Sequence, residues 1–212
     1  MTSKITRRVA AFVCGAFALS ACSGVDGSGT PAADTASAVS PGPDRPEMSP
    51  LVQQRWWAWA AAEPTATNPV ADPDGGDCAR NQPGDVWFVA GTFGGRAERR
   101  CAVPAGRPII APLVNLVSDD PADCEGFLDE ADGWAVLDMQ RVTPARMASE
   151  PVRFEVVAGS PLFGSDGGTF DGVACGLWVA LEPPDPGEHQ LVLRGLAGDL
   201  NVWVEYTLDV RS

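Results

Sequence analysis

The chain of 212 residues contains one histidine and one tyrosine, and both stand where they could exchange a proton. In the stretch 188–195 the apolar positions Leu191 and Leu193 place His189 on their own face. In 201–210 the apolar positions are Val202, Val204, Leu208 and Val210, so Tyr206 faces inward as well. If these stretches pair as antiparallel strands, a four-residue loop at 196–199 sets His189 opposite Tyr206. A two-residue turn at 198–199 makes them diagonal neighbours, still within reach. Such a pair can abstract a proton, as in an eliminase of the polysaccharide-lyase type. The plainer reading is structural: a half-buried tyrosine needs a hydrogen-bond partner, and a histidine supplies one.

Seven tryptophans suggest a second chemistry, stacking on the apolar faces of sugars. Trp56, Trp57 and Trp59 share one broad helical stripe, where packing against a sheet is the simpler use. Trp87, Trp134, Trp178 and Trp203 fall in strand-like stretches. Trp203 alternates with Val202 and Val204 and shares the polar face with Glu205, which makes it the candidate for an exposed, ligand-binding aromatic. Calcium is the one metal ion the acidic residues suggest. Asp72, Asp74 and Asp77 lie in a DPDGGD loop, although the spacing is not that of an EF-hand. Asp119, Asp120, Asp123, Glu125, Asp129, Glu130 and Asp132 surround a short helix, whose N-terminus favours negative charge without any metal. No other cofactor is called for. A catalytic serine lacks a nucleophile-elbow motif. A carboxylate pair for glycoside hydrolysis depends on separation in space, which the sequence does not carry.

Charge narrows the partners. The chain has 15 basic and 28 acidic residues, and Lys4 is its only lysine. Removing residues 1–21 takes three basic residues and no acidic one, so that 12 face 28, a net charge of −16. That charge repels nucleic acid and anionic lipid surfaces. A chain without lysine has no Schiff-base or P-loop chemistry.

Cys78, Cys101, Cys124 and Cys175 follow the N-terminal pair Cys14 and Cys22. Outside the cytoplasm an even set of thiols reads as disulfides, with three connectivities open to four cysteines. Cys78 precedes the first strand and Cys101 sits on its hairpin partner, which favours Cys78–Cys101 and leaves Cys124–Cys175. With no Cys-x-x-Cys and a single histidine, a metal site has little to build on.

The elements that must position these residues are mostly strands. Ser49-Pro50 reads as an N-cap and first turn, opening a Trp-rich helix that runs to about Glu63. The stretches 85–92 and 97–103 flank Phe93-Gly94-Gly95-Arg96 and read as a hairpin. Further strands are expected at 108–117, 133–142, 152–157, 176–182, 188–195 and 201–210, with Asp120-Pro121 capping a short helix to about Ala131. The pattern predicts a mainly β domain at 50–212, an antiparallel sandwich of jelly-roll type with two helices.

The N-terminus sets the address. Lys4, Arg7 and Arg8 precede an apolar run from Val9 to Leu19, too short to span a bilayer and suited to a secretory signal at 1–21. It ends in Leu19-Ser20-Ala21-Cys22, which resembles the lipobox of bacterial lipoproteins. The resemblance implies cleavage before Cys22, a diacylglycerol thioether on its sulfur, often a further acyl group on its amine, and display on the extracytoplasmic side of a cell or outer membrane. Two or three acyl chains anchor stably. The following segment to residue 49 is rich in Ser, Gly, Pro and Ala and is expected to stay disordered, a tether spanning on the order of 30 Å.

The blocks QQRWWAWA at 53–60, VWFVAGTFGG at 86–95, CAVPAGRPI at 101–109, GLWVALEPPDPGEHQLVLRG at 176–195 and VEYTLDV at 204–210 resemble a family of small secreted bacterial proteins often labelled only "signal proteins". That likeness implies a β-rich extracytoplasmic domain and assigns no catalytic residue. Three functions are therefore carried forward. The first is a non-catalytic binding or envelope module for a glycan or protein. The second is a glycan-acting lyase or hydrolase, and the third a structural envelope component.

Overall fold

The computed structural model describes residues 48–163 and 166–212. The expected leader at 1–21, Cys14, Cys22 and the expected tether as far as residue 47 lie outside the described residues.

Helix α1 (Pro50–Ala61) begins where the sequence places it, although Ser49 caps through extended backbone alone and its hydroxyl makes no capping bond. A 3-10 turn, Thr65–Thr67, follows. The strands are β1 (Trp87–Phe88), β2 (Gly95–Pro104), β3 (Ile109–Ser118), β4 (Asp132–Leu137), β5 (Gln140–Val142), β6 (Ala145–Val156), β7 (Gly168–Leu181), β8 (Gly187–Ala197) and β9 (Leu200–Arg211). Helix α2 (Pro121–Glu130) lies between β3 and β4, and the Asp120 carboxylate accepts from the Ala122 N–H at its start.

The protein is mainly β, with two sheets packed as a sandwich. Sheet one has the order β1-β3-β7-β6 and sheet two the order β2-β9-β8-β4-β5. Sheet one is buried on both faces. Ile109, Ala111, Val179 and Leu181 pack with Leu191, Leu193 and Val204 of sheet two. Ile110, Trp178 and Ala180 pack against the three tryptophans of α1. This is why β3 and β7 read as unbroken apolar runs, whereas β8 and β9, covered on one face, alternate. Helix α2 closes one end, where Cys124 and Leu128 pack with Cys175 and Leu116.

The expected hairpin between 85–92 and 97–103 does not form. β1 pairs parallel to β3 in one sheet, and β2 pairs parallel to β9 in the other. The chain between them crosses the sandwich because the backbone of Ala90 is held by Tyr206 rather than by a neighbouring strand. The stretch 133–142 is likewise two strands, folded back at Asp138 and Met139 with φ of 47° and 69°.

Both disulfides are present, Cys78–Cys101 and Cys124–Cys175. The first joins the loop before β1 to β2 and not the two arms of a hairpin, so the pairing is the expected one and its geometric basis is different. Among the described residues no helix is long and apolar enough to cross a membrane.

Candidate functional site

The β8–β9 register is the two-residue-turn alternative: His189 faces Leu208 and Tyr206 faces Leu191. His189 and Tyr206 are diagonal neighbours, yet they enter separate networks. The His189 Nδ1–H donates to Asp138 Oδ2 at 2.6 Å and Nε2–H donates to the Asp185 carbonyl at 2.7 Å. Both partners are acceptors, so the arrangement calls for the doubly protonated ring. The bond to Asp138 raises the His189 pKa above its ordinary value against the opposing effect of burial. Burial pushes Asp138 up, but His189 and the Gln190 N–H outweigh it and its pKa is lowered. An imidazolium with both N–H groups engaged has no free nitrogen to take a proton. His189 is a clasp between the β4–β5 turn and the β7–β8 loop, in the wall of an open polar groove of ≈ 590 Å³.

Tyr206 is 2% exposed, and its hydroxyl donates to the Ala90 carbonyl at 2.7 Å. The same oxygen accepts from the Ala90 N–H at 3.1 Å and from Arg99 Nη1 at 2.8 Å. Arg99, 3% exposed, also donates to the carbonyls of Val70, Asp72, Ala90 and Gly91. This guanidinium ties β2 and β9 to the two loops that approach them. Sequence parity places Arg99 on the inner face, between Ala97 and Cys101, which was the available signal.

The acidic candidates serve the backbone. Asp72 Oδ1 accepts from the N–H groups of Asp74 and Gly75, and Oδ2 from that of Asp77. Burial opposes ionisation of Asp72, but these three bonds and the field of Arg99 lower its pKa. Gly75 has φ +96°, and a Cβ there would lie 2.5 Å from the Arg100 carbonyl oxygen, so only glycine lets the loop meet β2. Among the described residues no three Asp, Glu, His or Cys side chains converge as ligands would, neither in this loop nor around α2.

Trp203 is the exposed aromatic expected, at 36%. Across the outer face of sheet two, Arg96, Trp203, Arg194 and Trp134 are successive cross-strand neighbours. Arg96 and Arg194 lie 5.6 and 5.1 Å from the Trp203 ring, and Arg141 lies 5.7 Å from that of Trp134. The ladder runs over all five strands. Strands β2 and β8 flank β9, so Trp203 stands between two guanidinium groups that already engage its ring and compete with a sugar for it.

A different feature, unforeseen from the sequence, has the character of a ligand site. β1 pairs with β3 only at Ile109 and Ile110, whereas β7 pairs with β3 as far as Ser118. From Ala111 onward, among the described residues, no strand lies on the β1 side of β3. A groove of ≈ 330 Å³ runs there, floored by Pro112 to Val117. Trp56, Trp57 and Phe163 line it from the α1 side, and Leu200 and Val202 from sheet two. Among the described residues, no charged side chain lines it. The β-bulge at Leu113 turns the strand here, its carbonyl so close to Gly195 that a Cβ would lie 2.2 Å away. Two lining residues carry buried donors without a hydrogen-bond partner, Asn115 Nδ2 and Trp57 Nε1. Buried polar groups are normally satisfied, so these enclosed donors depart from the rule, as do Trp87 Nε1 and Trp178 Nε1 elsewhere in the core. Phe93, 53% exposed, stands at the rim.

Tyr206 and Arg99 build this groove. By binding both backbone groups of Ala90 and the carbonyl of Gly91, they draw the chain after β1 away from β3 and toward β9. Comparison with known proteins adds no assignment: no protein-family model, no curated protein and no solved structure matches the chain.

Proposed function

We propose that the protein is a non-catalytic binding module, held on the extracytoplasmic side of a membrane by lipid at Cys22, whose ligand occupies the groove beside β3. The observation that carries the reading is an apolar groove beside β3 that, among the described residues, no charged side chain lines. The lipobox-like residues 19–22 and the two disulfides support the location. A mainly apolar ligand fits the side chains of this lining better than a glycan, since of them only Asn115, Thr92, Trp56 and Trp57 carry a polar atom. The glycan-acting enzyme finds less support, because His189 and Tyr206 are engaged in separate networks.

The test is binding of the neutral apolar dye Nile red to the purified chain and to Val117→Arg, which puts a guanidinium on the groove floor. The wild type is expected to enhance the dye's emission and the variant to lose most of that enhancement while still unfolding cooperatively. Equal enhancement by a folded variant would overturn the reading.

A further inference from the structure

We propose that the occupant of the groove is an extended, uncharged segment of another polypeptide, which adds a strand to the free edge of β3. The proposal rests on the reading of the groove as a binding site and names its ligand.

Three features point to a strand and not to a compact small molecule. The floor of the groove is the strand itself, Pro112 to Val117, and in an antiparallel ladder alternate residues turn their N–H and C=O away from the paired neighbour. Among the described residues those outward groups of 114–118 have no strand beside them, and another peptide backbone is their natural complement. Next, the walls present two different apolar surfaces. Val117 packs on the α1 side of β3 with Trp57, and Val114 packs on the other side with Val202, while Asn115 and Leu116 also line the groove. A strand, whose side chains alternate, would place successive residues on each. Asn115, with donor and acceptor in one amide, suits a peptide carbonyl or N–H. Last, the lining is neutral in a chain of 28 acidic and 15 basic residues, so complementarity selects a segment without charge. The edge is also recessed between the α1 layer and sheet two. A single chain can enter, whereas the edge strand of a second copy would bring its own sheet against those walls.

The experiment compares two peptides of identical side chains, acetyl-Val-Thr-Val-Thr-Val-amide and a version N-methylated at alternate residues on the pairing edge. Each is titrated into the full chain, with tryptophan emission and amide hydrogen exchange as readouts. The parent peptide is expected to bind, to displace Nile red and to slow exchange within 114–118. N-methylation should weaken it at least tenfold, and Val117→Arg should abolish binding of either. Dye binding without peptide binding, or equal binding of both peptides, would overturn the strand assignment and leave the groove a ligand site. Concentration-dependent dimers abolished by Val117→Arg would overturn it too, since the occupant would then be a second copy. If neither dye nor peptide binds, both readings fall.

Discussion

Replacing Tyr206 by phenylalanine removes one oxygen and leaves a ring of nearly the same shape, so the effect is that of the hydrogen bonds alone. The Ala90 N–H, bound only to that oxygen, becomes a buried orphan; Ala90 O and Arg99 Nη1 each lose one partner and keep others. An orphaned buried donor costs about 1–3 kcal/mol, and the two weakened bonds, one of them charged, add on the order of 1–2 kcal/mol. The expected loss is about 3 kcal/mol, which for a domain of this size lowers Tm by roughly 6–12 °C. Urea unfolding followed by tryptophan emission measures it, with an unchanged m-value showing that the two end states are the same. We also expect weaker dye and peptide binding, because Ala90, once released, can turn toward β3 and narrow the groove. A loss below about 0.5 kcal/mol, or a destabilised variant with undiminished binding, would refute the argument that this hydroxyl holds the edge open.

His189 is predicted to clasp its two loops best in mildly acidic solution. Its folded pKa is raised, so its contribution is complete below the ordinary histidine value and fades as pH rises through the folded one; Asp138, lowered, contributes above the ordinary carboxylate value and fades as pH falls through its folded one. His189→Gln should flatten the stability profile between those limits, and a profile identical to wild type would contradict the clasp. Replacing Cys124 and Cys175 together by alanine opens a loop with a sequence separation of 51 and should cost about 4 kcal/mol by thermal unfolding, against about 3 kcal/mol for the Cys78–Cys101 pair at 23. Asp72→Ala removes the acceptor of three backbone N–H groups and should lower Tm by several degrees, whereas millimolar Ca²⁺ should leave the wild-type Tm unchanged. A calcium-dependent rise in Tm that Asp72→Ala abolishes would restore the loop as a metal site.

What was legible in the sequence was whatever period and punctuation encode. Alternation in 188–195 and 201–210 located β8 and β9 and oriented Tyr206, and Asp120-Pro121 marked the start of α2. The hairpin error at 85–103 has a physical cause: two strands on either side of a Gly-Gly turn look alike whether they pair with each other or with distant partners, as Trp87 does with Ile109 and Gly95 with Val202. What separates them is Arg99 and Tyr206 gripping Ala90, a contact between residues far apart in the chain. The turn at Asp138 and Met139 was hidden because a positive-φ methionine, 95% exposed, carries no turn signature. Trp203 was correctly placed outside, but the guanidinium groups over its faces arise from cross-strand register, which composition does not contain. The groove was illegible for the same reason. It is the absence of a neighbour along part of β3.

The position of Arg99 bears on why that neighbour is absent. Burying a guanidinium costs several kcal/mol unless its donors are satisfied, and here they are satisfied almost wholly by neutral carbonyls, with Asp72 contributing through its field while its own oxygens bind its loop. A sandwich meant only to close would continue β1 along β3, pairing the backbone of Ala90 strand to strand, and would fill position 99 with an apolar residue like the neighbouring Cys101 and Val103. Instead a buried cation and a buried phenol hold residues 90–91 off the sheet. Exchanging both at once, Arg99→Leu with Tyr206→Phe, separates the two purposes. Because the two residues bind each other and share Ala90, the double variant should be less damaged than the single ones combined on either view, and binding decides. If the network serves stability alone, a folded double variant should bind the dye and the test peptide as the wild type does; if it serves to keep the β3 edge vacant, binding of both stays lost.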